Sequence, residues 1–166
     1  MTEPSPASGD VHQAAMATFL TTLKAERRLP QRLIELVRLR IAFHNQCRPC
    51  MSIRYEEAVA DGLTETFVCS LERPEEAEDM TPAEQACVLF ADRFASNHLA
   101  IDAAQLAGLA AHLTPDGIRE LAMHCAFFTG FGRMGAAFDT GDTLPVGDRH
   151  GDGTRLTPWG IEPMIV

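Results

Sequence analysis

Apolar side chains recur at three- and four-residue intervals along most of this chain. That spacing lines them up on one face of a helix, whose period is about 3.6 residues. Val11, Ala14, Ala15, Thr18, Phe19 and Thr22 form one such stripe, up to a break at Pro30. A second passes through Leu33, Leu36, Val37, Arg40 and Ile41. A third helical segment begins near Cys47 and is expected to stop at Gly62, a glycine placed to end a helix. Residues 63–71 predict a short helix, and the acidic run ERPEEAEDM from Glu72 to Met80 predicts a connector.

The second half starts its helices with clearer signals. In TPAE, Thr81 is the expected N-cap, Pro82 the first helical residue and Glu84 the partner that closes a capping box. Ala86, Leu89, Phe90 and Phe94 then carry the helix to about Asn97. Asp102 predicts the cap of another, ending near His112. Thr114 and Pro115 open the last, which carries Leu121, Ala122, Cys125, Phe128 and Met134 and could kink at Gly130 and Gly132.

No run alternates at period two with β-branched enrichment, so no strand is predicted and the fold class is all-α, a helical bundle over residues 10–139. Residues 1–9, rich in Pro, Ser and Gly, are expected to be disordered. Residues 140–166 form an irregular C-terminal arm without helical period. Its Trp159, Ile161, Met164, Ile165 and Val166 are apolar anchors, which predicts docking, including across a neighbouring subunit.

Composition narrows the classes. Hydrophobic residues make up 46% of the chain and charged residues 22%, an ordinary globular balance. The net charge of −9 argues against a nucleic-acid binder, which needs clustered Lys and Arg. The basic group at Lys24, Arg27 and Arg28 is short and reads as a solvated face. No stretch approaches the roughly 20 apolar residues of a membrane helix. The opening MTEPSPASGD has neither the basic nor the apolar part of a secretory signal. Five cysteines, an odd number with Cys69, Cys87 and Cys125 scattered at apolar helical positions, do not make a secreted disulfide framework. A reducing, cytoplasmic setting is therefore expected.

The candidate chemistry lies in AFHNQCRPCMSIRYEEA, where Cys47 and Cys50 form a CxxC pair. Structural zinc needs four ligands, and no second pair stands at zinc spacing. His44 precedes Cys47 by three residues, but His124 and Cys125 could join it only by tertiary approach. Plain burial explains the scattered cysteines better than it explains CRPC, whose neighbours are Arg, Pro and Gln. A proline suits the first turn of a helix, and a helix N-terminus and a nearby cation both favour thiolate. Arg54, four residues past Cys50, would share its helix face. The local chemistry thus fits a redox dithiol. Glu35 interrupts the second apolar stripe. It is either an ion pair with Arg38 or Arg32 on its own helix, or a carboxylate held near the thiols for proton transfer.

The run from Glu35 through ELVRLRIAFHNQC, with the CxxC beginning twelve residues after that glutamate, resembles the alkylhydroperoxidase D-like branch of the carboxymuconolactone decarboxylase family. The helical layout is similar over about residues 10–138. The resemblance implies an all-helical subunit that assembles into homo-trimers or homo-hexamers and needs no metal or organic cofactor. It implies thiol peroxidase or disulfide reductase chemistry, with a peroxide or disulfide as substrate and an external dithiol as reductant. Cys50 matches the cysteine oxidised to sulfenic acid, Cys47 the partner that closes the disulfide, and Glu35 the carboxylate of a proton relay. Two positions depart from the pattern: Arg54 and Pro49 stand where the best-known members carry histidines. Arginine stays protonated and cannot act as a base; it can steady a thiolate, or equally pair with Glu35 or Glu57. His44 and His124 are the candidate substitutes. Two rival readings accompany this one. A lactone decarboxylase would leave the CxxC without a use, and a non-enzymatic helical oligomer would keep it as a vestige or a stress sensor.

Overall fold

The structure, a computed structural model, describes residues 7–138 and 164–166. The backbone elements run α1 Ala7–Ala25, α2 Gln31–Asn45, α3 Arg48–Ser52, β1 Ile53–Arg54, α4 Glu56–Ala60, α5 Glu65–Ser70, α6 Pro82–Asn97, α7 Ala103–Ala110, α8 Pro115–Ala137 and β2 Met164–Ile165. A single 3₁₀ turn, His98–Ala100, joins α6 to α7. No helix among the described residues is long and apolar enough to cross a membrane.

Helix α2 is the axis of the bundle, with α6 and α8 packed on it. Its sequence explains why. Residues 33–39 are buried without interruption, so the helix needs cover on several sides at once. Leu36, Val37, Leu39 and Ile41 meet Cys87, Val88 and Ala91 of α6 and Leu121 and Cys125 of α8 in one core. Cys87 and Cys125 are ordinary core residues, whereas Cys69, expected at an apolar position, is exposed.

The expected helix starts are present. Thr81 accepts from the Glu84 backbone N–H while the Glu84 carboxylate accepts from the Thr81 N–H, a reciprocal pair that occupies two otherwise orphaned donors. The side chains of Asp102 and Thr114 accept from Gln105 and Gly117 in the same way. Helix α8 continues through Gly130 and Gly132. Gly132 serves packing: a Cβ there would collide with the Asn45 side-chain amide, which donates to the carbonyls of Phe128 and Thr129.

Three expectations are revised. Helix α1 begins at Ala7, within the stretch read as disordered; residues 1–6 lie outside the described residues. The segment read as one helix from Cys47 to Gly62 is broken: α3 stops at Ser52, β1 follows, and α4 carries the chain to a left-handed Gly62 with φ 88°. Finally, the chain is not wholly without strands, because β2 pairs in parallel with β1, Ile53 opposite Met164 and Arg54 opposite Ile165. Val166 donates to the Arg54 carbonyl at 2.9 Å and accepts from the Glu56 N–H at 2.9 Å. The tip of the C-terminal arm thus docks on its own subunit, beside the CxxC segment. Residues 139–163 of that arm lie outside the described residues.

The stripe on α1 has less cover than its pattern implied. Leu23 is buried, but Val11, Phe19 and Leu20 are exposed. Phe19 packs at a tilt on Phe127 of α8 and Phe127 on Phe131, with centroids 5.7 and 4.5 Å apart. Met134 and Phe138 extend this apolar surface along α8.

Candidate active site

The site is built where α2 hands the chain to α3. Gln46 takes a left-handed conformation, φ 52° and ψ 36°, and its side chain donates back to the Phe43 carbonyl. That turn sets Cys47 at the N-cap of α3 and Cys50 within its single turn. The two sulfurs are joined as a disulfide, with Cα atoms 5.2 Å apart, inside the usual range of roughly 4.4–6.8 Å. Pro49 occupies the first turn, where its missing N–H costs nothing. Because α3 has only five residues, its aligned peptide dipoles add up to little.

The two sulfurs are not equivalent. Cys47 is fully buried. It sits against α8 at Gly135, where a Cβ would lie 3.1 Å from its sulfur and 3.9 Å from that of Cys50. Glycine there lets the helix backbone close over the disulfide. Cys50 is partly exposed and lines a cavity of about 190 Å³ with Arg38, Ala42, Tyr55 and the rings of Phe127, Phe128 and Phe131. A reagent reaching this disulfide through the cavity meets Cys50.

Glu35 is buried to 1% exposure and points to Arg38, one turn along α2. Both carboxylate oxygens accept from the guanidinium, at 2.6 Å each, in a forked pair. The remaining Arg38 N–H groups reach the redox segment: one donates to the Cys50 carbonyl at 2.5 Å and another to the Ile53 carbonyl at 2.6 Å. The Arg38 guanidinium also lies over the Tyr55 ring, 5.2 Å from its centroid. Burial works against its charge, but the adjoining Glu35 carboxylate outweighs that and raises the Arg38 pKa above its ordinary value. Arg38 therefore stays a cation at the wall of the Cys50 cavity.

Arg54 is elsewhere. Its place on the face of Cys50 assumed a helix that continues past Ser52, and the chain turns extended there. Its guanidinium instead forks onto Glu65, at 2.9 and 3.0 Å, and donates to the Met51 and Ile53 carbonyls. Arg38 and Arg54 thus both hold the same short segment, and both donate to the Ile53 carbonyl. In the sequence alone, Arg38 is only the partner of Glu35 in an ordinary ion pair. Its three-residue spacing from Glu35 was the available signal; its bonds to Cys50 and Ile53 are tertiary.

The two histidines also part ways. The His44 Nε2 is 2.6 Å from Asp92 Oδ1, which also accepts from Arg40, so this ring belongs to an ion cluster between α2 and α6. His124 lies with Glu35 on a second cavity of about 390 Å³, whose wall shares Arg38, Tyr55 and Phe128 with the Cys50 cavity. Burial holds the His124 pKa below its ordinary value, opposed by the charge of Glu120.

A cysteine pair carried by a helical bundle, one sulfur buried and the other at a cavity wall, with a carboxylate and a cation from the central helix beside it, defines a class: helical proteins built around a CxxC. Residues 11–93 match the carboxymuconolactone decarboxylase family, which is half of the chain, and the chain belongs to that family. No curated protein matches it significantly. Among solved structures, a protein of unknown function from Agrobacterium tumefaciens, described as a candidate antioxidant defence protein AhpD, superposes with a TM-score of 0.70 at 23% identity. The match covers 85% of this chain and 94% of that one, and it shows a shared all-α fold.

Proposed function

We propose that this protein is a thiol-dependent oxidoreductase, acting as a peroxidase or a disulfide reductase through Cys50 and Cys47. The observation that carries the reading is the asymmetry of the pair, with Cys50 at a cavity wall and Cys47 sealed beneath it. In the reduced protein the Cys50 thiolate attacks a peroxide oxygen. An S–O bond forms, the O–O bond breaks, and the leaving oxygen takes a proton and departs as alcohol or water. The Cys47 sulfur then attacks the Cys50 sulfenic acid and water leaves, giving the disulfide. An external dithiol restores the pair by exchange, through a mixed disulfide at the accessible Cys50.

The cation that serves Cys50 in this reading is Arg38, because it lines the same cavity and is tied to the Cys50 carbonyl. Arg54 acts one step back, by fixing the strand that follows. Glu35 holds Arg38 in place and keeps lone pairs free for proton exchange, since a carboxylate offers about four acceptor positions. Cycling through an external dithiol suits a reducing, cytoplasmic compartment. The exposed apolar surface of Phe19, Phe131, Met134 and Phe138 supports assembly into a homo-oligomer, which we place at the trimer or hexamer level.

The test is to trap the first intermediate. Reduced Cys47→Ser protein treated with peroxide should accumulate a sulfenic acid that labels with dimedone at residue 50. Cys50→Ser should give no rapid label at Cys47. Equal labelling of both variants would defeat the assignment.

A further inference from the structure

On the dithiol reading above, we propose that the strand Met164–Ile165 and the residue after it, Val166, form a detachable strap that controls which molecules reach Cys50. Docked, the strap fixes Tyr55 as a partition between the two cavities beside the cysteine pair. Undocked, it lets the two spaces join, so that larger molecules gain access to the sulfur.

The strap acts through one residue. Val166 donates to the Arg54 carbonyl and accepts from the Glu56 N–H, each at 2.9 Å, so its two bonds bracket Tyr55. The main chain on both sides of Tyr55 is thereby held by a residue more than a hundred positions away. Val166 also lines the cavity of about 390 Å³ that contains Glu35.

Among the described residues, Arg38, Tyr55 and Phe128 are the three that belong to both cavity walls. Arg38 is pinned by the Glu35 carboxylate and two main-chain carbonyls. Phe128 rides on α8, its ring packed against those of His124 and Phe127. Tyr55 stands between β1 and α4 and is 43% exposed, with its ring against the Arg38 guanidinium. Of the three, it is the one whose place depends on the strap.

The strap is held lightly. Its strand is two residues long, and so small a pairing has little stability of its own. Ile165 and Val166 remain 60% and 51% exposed, so apolar burial adds little to the hydrogen bonds. Segments of this kind open at a cost well below that of global unfolding. A reagent that needs the open form then reacts at a rate scaled by the population of that form.

Size decides which reagents those are. The Cys50 cavity, about 190 Å³, is smaller than the roughly 300–1,000 Å³ of pockets that enclose drug-sized molecules. A small peroxide fits it with the strap docked. A bulky hydroperoxide or disulfide needs the joined space.

The experiment alkylates the reduced full-length protein with iodoacetamide and, separately, with a bulky pyrene maleimide, and reads the rate at residue 50 by peptide mass. Wild type is compared with a protein lacking residues 164–166, with Val166→Pro, which loses the N–H that bonds Arg54, and with Tyr55→Ala. Folding is checked by circular dichroism. All three variants should react roughly tenfold faster with the pyrene reagent, the scale of one or two net hydrogen bonds. The iodoacetamide rate in the two strap variants should change by less than about twofold, because the small reagent does not wait for opening. An unchanged pyrene rate in the folded strap variants would overturn the inference. Equal gains with both reagents would overturn it too, since they mark a general loosening of the site. Oxidation of the same proteins by hydrogen peroxide reports separately on the dithiol reading. A wild type as inert as Cys50→Ser removes that reading, whereas failure of the strap alone leaves the peroxide reaction of Cys50 intact.

Discussion

Arg38 holds both oxygens of Glu35 at 2.6 Å and, with its other N–H groups, the main-chain carbonyls of Cys50 and Ile53. A charge pair inside α2 is thereby tied to the backbone that carries the cysteines. Removing one member of a buried pair strands the other, at a typical cost of about 3–5 kcal/mol. Arg38→Met should therefore lower stability by that order and slow thiol oxidation as well. Glu35→Gln/Arg38→Met should cost less than the sum of the two single changes, because neither group is then left unpaired. Urea unfolding of the reduced proteins measures this, and additive effects would show that the pair is not coupled.

The turn at Gln46 makes a backbone prediction. A left-handed conformation costs an L-residue about 1–2 kcal/mol, and β-branched side chains tolerate it worst. Gln46→Val should destabilise by about 2 kcal/mol or more and disturb the CxxC beyond it. Gln46→Gly should be tolerated, since glycine adopts the turn freely. Equal loss in both variants would mean that the Gln46 side-chain bond to Phe43, and not φ, governs the position.

Outside the pair, the thiols should separate by burial. Desolvation pushes the Cys87 thiol up to about 12 and the Cys125 thiol higher still, so neither forms appreciable thiolate in the folded protein. With the disulfide intact, iodoacetamide at pH 8 should modify Cys69 alone among the described cysteines. Cys87 and Cys125 should react only at the rate of unfolding. Rapid labelling of either, read by peptide mass, would contradict their place in the core.

Much of this architecture was legible because it is written in local chemistry. Thr81 with Glu84, Asp102, and Thr114 with Pro115 each satisfy orphaned backbone donors within a few residues, so the sequence alone locates those helix starts. The break after Ser52 was not legible. Residues 53–55, IRY, could continue a helix, but Ile53 and Arg54 pair instead with Met164 and Ile165, more than a hundred residues away. A strand of two residues has no period to detect. The same break undid the expected neighbourhood of Arg54 and Cys50. On α1 the pattern marked a face as apolar without saying what covers it, and Phe19 and Leu20 remain open in the subunit. Within the site, Cys47, Cys50 and Glu35 could be singled out by type and spacing. Arg38 could not, because its contacts with the redox segment exist only once α2 and α3 are side by side.

The central claim is that Cys50 and Cys47 form one functional dithiol with Cys50 as its nucleophile. The most direct measurement adds a single equivalent of hydrogen peroxide to the fully reduced protein and counts the remaining thiols against time by alkylation and intact mass. The expected result is rapid loss of two thiols together, mapped to Cys47 and Cys50, in wild type, and no rapid loss in Cys50→Ser. Oxidation of the pair no faster than that of exposed Cys69, or an unchanged rate in Cys50→Ser, would contradict it.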